Sequence, residues 1–280
     1  MRIACPRPAP LWPLPCVAAL WLASAASAQA QEVGVGVELV LAVDVSRSID
    51  QGEQLIQRRG YAEAFRSPDV QDAILNGGWG RVAITYVEWG GEASQRVLIP
   101  WTLIDSAEAA EALAADIETA PSPSVSRTSI SAAIDFSAAL FEGNGYAGMR
   151  RVIDISGDGP NNQGRSVTEA RDAALARGII VNGLPLMTQD GQGTDPSGGW
   201  GSIPDLDRYF LDCVIGGPGA FVVPVTGWDQ FAAAVRRKLV LELAGWPLPP
   251  PDGLTLAQAA PLPDCLIGEK LWEDRRRRWD

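Results

Sequence analysis

Three separated stretches carry oxygen side chains of a kind that can hold a hard cation. The first, Asp44-Val45-Ser46-Arg47-Ser48, sets a carboxylate and two hydroxyls at alternate positions. The others are Ser126-Arg127-Thr128 and Gly157-Asp158-Gly159. Such oxygens suit Mg²⁺, which takes six in an octahedron and usually keeps some water, and they do not suit thiophilic metals. Two neighbouring carboxylates repel, and a cation between them is the natural compensation. The competing reading is a set of turns and helix caps, because Asp and Ser favour those places without any ligand. The chain has no histidine. That removes the usual imidazole base, a Ser-His-Asp triad and zinc sites that depend on imidazole.

The elements that must position these loops alternate between strand and helix. Residues 37–43 are an apolar Val/Leu run suited to a strand buried on both faces of a parallel sheet, with Asp44 at its carboxyl edge. Asp50-Gln51-Gly52-Glu53 has capping-box spacing, which predicts a helix to about Arg66 and makes Asp50 a cap rather than a ligand. Pro68 breaks that pattern and Asn76-Gly77-Gly78 reads as a turn. A strand follows at 81–89, then an antiparallel one at 95–101, a helix at 106–118 and a small-residue helix from Ser129 to about Glu142. Residues 149–156 form the next strand, and the helix from Ser166 ends at Gly178. A buried strand at 179–186, a short helix near 205–211, a strand at 220–225 and a helix at 228–243 complete the order. The expected fold is α/β: a doubly wound, mostly parallel six-stranded sheet with one antiparallel edge strand and helices on both faces. If the strands at 37–43 and 149–156 are neighbours, Asp44 and Asp158 emerge on one edge.

Residues 1–30 read as a secretory signal, with Arg2 and Arg7, an apolar centre at 17–22 and small-residue cleavage sites near Ala28 or Ala30. Its apolar run is well short of the roughly 20 residues of a membrane-spanning helix. The mature protein is expected to be secreted to the periplasm, with a domain at 35–245 and a Pro-rich linker and C-terminal tail at 246–280. Removing Arg2 and Arg7 from the 23 basic residues leaves 21 against 34 acidic ones, a net charge of −13. That disfavours nucleic acid and anionic membranes as partners. Cys213 and Cys265 remain after processing, and in an oxidising compartment they read as a disulfide, with two buried thiols as the alternative. The bridge would contribute roughly 4 kcal/mol in the chain-entropy model.

With the Asp-x-Ser-x-Ser element after an apolar strand, the chain from about Val37 to Leu243 resembles the von Willebrand factor A domain with a metal-ion-dependent adhesion site. Within it, the chain is similar to a bacterial group of secreted A-domain-like proteins of undefined function. The family pattern falls on Asp44, Ser46 and Ser48, its threonine on Thr128, and the aspartate of its third loop on Asp158. Ser126 stands where a glycine is frequent and Gly157 where a threonine is, and neither change removes a ligand. The resemblance implies that Ser46, Ser48 and Thr128 bind Mg²⁺ or Mn²⁺ directly and the aspartates partly through water. It also implies that an acidic side chain of a protein partner fills the open position.

That makes a metal-dependent binding module the leading expectation, with no enzymatic activity. One alternative is a Mg²⁺-dependent phosphotransferase using Asp44 as nucleophile, but Ser46 stands where such enzymes place a second aspartate. The other is a metal-independent assembly module. Trp79, Trp89, Trp101 and Trp228 sit beside strands and helix starts and are expected to pack rather than to line a carbohydrate surface. The Gly-rich stretch 191–201 lacks the lysine and spacing of a phosphate loop. The Arg275–Arg278 run reads as a solvated tail, with docking of an acidic partner as the alternative.

Overall fold

The computed structural model describes residues 32–121, 125–188, 202–244 and 263–279. The signal, the Gly-rich stretch 191–201 and the Pro-rich linker anticipated from the sequence lie outside these residues.

Five strands form: β1 (Val33–Asp44), β2 (Val82–Trp89), β3 (Gln95–Ile104), β4 (Tyr146–Gly157) and β5 (Ile179–Pro185). They lie in the order β3-β2-β1-β4-β5. All neighbours are parallel except the β2–β3 edge pair. The helices are α1 (Gln51–Arg66), α2 (Pro68–Leu75), α3 (Ala107–Thr119), α4 (Ile130–Ala139), α5 (Val167–Ala176), α6 (Leu206–Tyr209), α7 (Phe231–Leu243) and α8 (Ile267–Trp279).

The continuous apolar run of β1 follows from its central place. Leu39, Leu41 and Val43 enter one core with Phe65 of α1, Leu113 of α3 and Leu239 of α7. Val40 and Ala42 enter a second core with Ile134 of α4 and Ala170 of α5. Alternate side chains of a strand face opposite sides, so a strand covered on both faces cannot alternate in polarity. Each large aliphatic side chain buried this way contributes roughly 1.5–3 kcal/mol. The chain leaves β1 for β2 on one side and later returns from β3 to β4 on the other, so the carboxyl edge between β1 and β4 is the topological switch point where open α/β sheets bind ligands.

The structure departs from the sequence reading in three places. The expected sixth strand at 220–225 makes only isolated parallel bridges, Gly183 of β5 with Val222 and Leu186, just past β5, with Val225. Both bridges share one register, and the rung between them needs an N–H at residue 185, which is proline. Pro68 does not only stop α1. It is the first residue of α2, whose cap Ser67 accepts the Val70 N–H, because proline is well suited to that position. The basic run at the C-terminus belongs to α8, a helix tied to the domain by the Cys213–Cys265 disulfide.

α8 also makes non-covalent contacts. Gly268 lies so close to the Asn161 carbonyl that a Cβ would fall 2.0 Å from it. The Asn161 side chain donates to Glu269 at 2.7 Å, and the guanidinium of Arg127 sits 4.1 Å from the Trp272 ring centre. The expected packing of the tryptophans holds for Trp89, which is fully buried, and for Trp101, whose indole N–H donates to Leu140 O. Trp79 is half-exposed and covers Gly34 and Gly36 at the start of β1.

Candidate metal centre

The site is built at the carboxyl ends of β1 and β4. Their parallel register pairs Val43 with Ser156, which brings the next residues, Asp44 and Gly157, alongside each other. Asp44 is fully buried, and a Cβ on Gly157 would stand 3.2 Å from Asp44 Oδ2. The chain then turns over its own carboxylate, the Ser46 N–H donating to Asp44 Oδ1 at 2.7 Å. The Ser46 and Ser48 hydroxyls are 3.0 Å apart, and Ser48 donates to Asp158 Oδ1 at 2.9 Å. Immediately after, Asp50 and Glu53 close a reciprocal capping box that starts α1, so Asp50 is a cap as its spacing predicts.

Thr128 arrives on the loop between α3 and α4, held by backbone bonds on both sides. Val125 N–H donates to Val45 O at 3.1 Å, and Ser129 N–H donates to Gly90 O at 2.7 Å. Gly90 is required there, since a Cβ would fall 2.2 Å from Val125 Cγ2. Asn162 locks this loop to the one carrying Asp158: its side-chain oxygen accepts the Thr128 N–H, and its own N–H donates to Thr128 O at 3.0 Å. Asn162 was legible as part of a turn in Gly-Asp-Gly-Pro-Asn-Asn, but nothing in that turn signal points to a partner 34 residues away. Arg127 adopts φ +74°, a left-handed conformation uncommon for a non-glycine residue, and this aims the loop toward α8.

Ser46, Ser48 and Thr128 line one cleft, while Asp44 and Asp158 are buried behind them. Burial, and then the nearby Asp158 charge, push the Asp44 carboxyl well above its ordinary value. Burial pushes Asp158 up to about 6, against the opposing hydrogen bond from Ser48. Asp44 Oδ2 has no hydrogen-bond partner among the described residues. An orphaned, buried carboxylate oxygen beside a second buried carboxylate is costly in an otherwise well-paired interior. A divalent cation relieves both terms at once. The donor set of carboxylates and hydroxyls fits Mg²⁺ or Mn²⁺ in type. Among the described residues no group of three His, Cys, Asp or Glu side chains converges, so the hydroxyls distinguish this site from a carboxylate cage.

The five sequence-selected residues thus meet at one edge. A doubly wound sheet with an antiparallel edge strand, joined to this loop arrangement at its switch point, is a fold of the von Willebrand factor A type. Residues 34–247 match the family model described as Protein of unknown function (DUF1194), and the chain belongs to that family. A comparison with curated proteins returns no match.

Among solved structures, proximal thread matrix protein 1 from the mussel byssus superposes with a TM-score of 0.55 at 16% identity, over 77% of this chain and 50% of that one. A form of that protein with a zinc-occupied MIDAS motif gives the same TM-score at 18% identity, over 77% and 50% of the two chains. The hypothetical protein BatB from Bacteroides thetaiotaomicron gives 0.51 at 21% identity, over 75% of this chain and 99% of that one. The match spans half the length of the mussel protein, and at these identities the likeness is one of fold.

Two further features of the surroundings escaped the sequence. Glu88, at the end of β2, is buried between Arg58 of α1 and Arg96 of β3, each at 2.8 Å. Lys238 of α7 is buried against Asp154 of β4 at 2.8 Å and against Glu242. Lys238 and Glu242 are spaced i,i+4 on α7, but Asp154, and the Arg58–Glu88–Arg96 trio, come together only from separate elements.

Proposed function

We propose that the protein is a metal-dependent, non-enzymatic protein-binding module of the adhesion type. Ser46, Ser48 and Thr128 hold Mg²⁺ or Mn²⁺ directly, Asp44 and Asp158 hold it in part through water, and a carboxylate of a protein partner completes the shell. The observation that carries this reading is the unpartnered, fully buried Asp44 Oδ2 facing the same edge as Asp158. The bound ion supplies positive charge that attracts an anionic side chain. The chain's own residues fix the donors: Ser48 orients Asp158, Gln57 donates to Asp44 O at 3.3 Å, and Asn162 holds the Thr128 loop. The mussel structure with zinc at a MIDAS motif lends support by analogy of fold.

The signal-like residues 1–30 and the Cys213–Cys265 bridge support a site of action outside the cytoplasm, with the periplasm as the proposed compartment. Calorimetric titration with Mg²⁺ and Mn²⁺, beside Asp44→Ala, tests the metal reading. Heat from the wild type alone supports it, and equal behaviour of the two proteins refutes it.

A further inference from the structure

The cleft over the metal-site hydroxyls has a volume of about 350 Å³, and α8 supplies one of its walls. Its charge is opposite to that of the molecule. The chain carries 34 acidic residues against 23 basic ones, yet among the described residues the cleft lining includes Arg47, Arg127 and Arg275 and no Asp or Glu. The three arginines come from three different segments: the loop after β1, the Thr128 loop and α8. Between them lie apolar surfaces of Pro160, Leu271 and Trp272, and Leu271 is 47% exposed. Arg127 is set against the Trp272 face, which orders it, while a guanidinium carries donors around its whole edge.

We propose that this cleft binds an acidic polypeptide segment, one carboxylate going to the metal and further carboxylates to Arg47, Arg127 and Arg275. The proposal rests on the metal-binding reading above and adds α8 to the binding surface. Arginine pairs with carboxylates in a fixed, often bidentate geometry, so a cleft of arginines selects for them. Oppositely signed potentials at an interface also raise the encounter rate and set the register of binding. An extended polyanion such as a nucleic acid fits less well. It requires a broad basic surface, and the rest of this molecule would repel it. The apolar floor beside the arginines suits the side chains that accompany Asp and Glu in a protein segment.

The test uses the full mature chain and a fluorescently labelled oligoglutamate peptide, followed by anisotropy in saturating Mg²⁺ and in EDTA, with metal uptake titrated separately. The expected result is binding in Mg²⁺ that weakens by roughly tenfold in Arg275→Glu and in Arg47→Ala. Oligoglutamine should not bind, and heparin should compete poorly. Arg275→Glu is expected to leave Mg²⁺ uptake in place, near-UV circular dichroism certifies that α8 stays docked, and Trp272→Ala gives a second, uncharged probe of the wall. Mg²⁺ uptake without peptide binding, or binding indifferent to the arginines, overturns the proposal and leaves the metal site standing. Equal competition by heparin overturns the protein-segment assignment. Absence of Mg²⁺ uptake refutes the metal reading instead. In that case, peptide binding that still depends on Arg275 supports the cleft, and no peptide binding refutes both.

Discussion

The Ser48 hydroxyl donates to Asp158 Oδ1 at 2.9 Å, joining the loop after β1 to the loop after β4 across 110 residues of sequence. Through Ser48, Ser46 and the two buried carboxylates, Asp44 and Asp158, share one hydrogen-bonded chain. A change at either end is therefore read at the other.

Asp44→Asn keeps an oxygen for the Ser46 N–H but removes a buried charge next to Asp158. Its melting temperature in EDTA is expected to rise above wild type, because an uncompensated buried carboxylate is lost. In Mg²⁺ at a hundred times the dissociation constant, wild type should gain about 2.7 kcal/mol and the variant nothing. Thermal melts with and without the ion check both.

Asp158 is raised from 3.8 to about 6 in the folded protein by burial. A carboxyl with a raised folded pKa keeps its proton in the native state after the unfolded chain has lost it. Metal-free stability is therefore expected to fall as pH rises from about 4 through 6. Metal binding requires the deprotonated form, so Mg²⁺ affinity should weaken as pH drops below about 6. Melting curves from pH 4 to 7.5 should slope downward in EDTA, and the stabilisation by Mg²⁺ should grow over the same range.

Gly90→Ala forces a Cβ to within 2.2 Å of Val125 Cγ2. The expected loss is about 1–3 kcal/mol, the usual range for overpacking. Because the Thr128 loop must move, Mg²⁺ affinity should fall with it. Val125→Ala removes the clashing methyl, and the double variant should recover most of both losses in urea melts and titrations.

Lys238→Met leaves Asp154 and Glu242 buried without their cation. The expected cost is about 3–5 kcal/mol at pH 8. Burial and the Glu242 charge raise Asp154 to about 7, so at pH 5 it is protonated and the penalty should shrink. Urea denaturation at the two pH values gives the comparison, and equal losses at both would contradict it.

Features encoded within one stretch were legible in the sequence. The apolar run of β1, the Asp50–Glu53 box and the Asp44-Ser46-Ser48 spacing all occur where the residues indicate. Features that arise between distant segments were not. The missing rung beside Pro185 reduced an expected strand to two bridges, because a proline without an N–H matters only once the neighbouring register is known. Asn162 reads as a turn residue until the Thr128 loop lies against it. The charged composition of α8 masks its role, since its contacts run through Ile267, Gly268, Glu269 and Trp272 rather than through a continuous apolar stripe.

The Cys213–Cys265 bridge fastens the helix that contributes Trp272 and Arg275 to the cleft. Without that bridge α8 is held by its non-covalent contacts alone, among them the Gly268–Asn161 approach, the Asn161–Glu269 hydrogen bond and the Arg127–Trp272 stacking. The bridge thus makes the proposed recognition wall sensitive to redox conditions: a reducing environment removes the covalent tie and leaves the wall to those contacts.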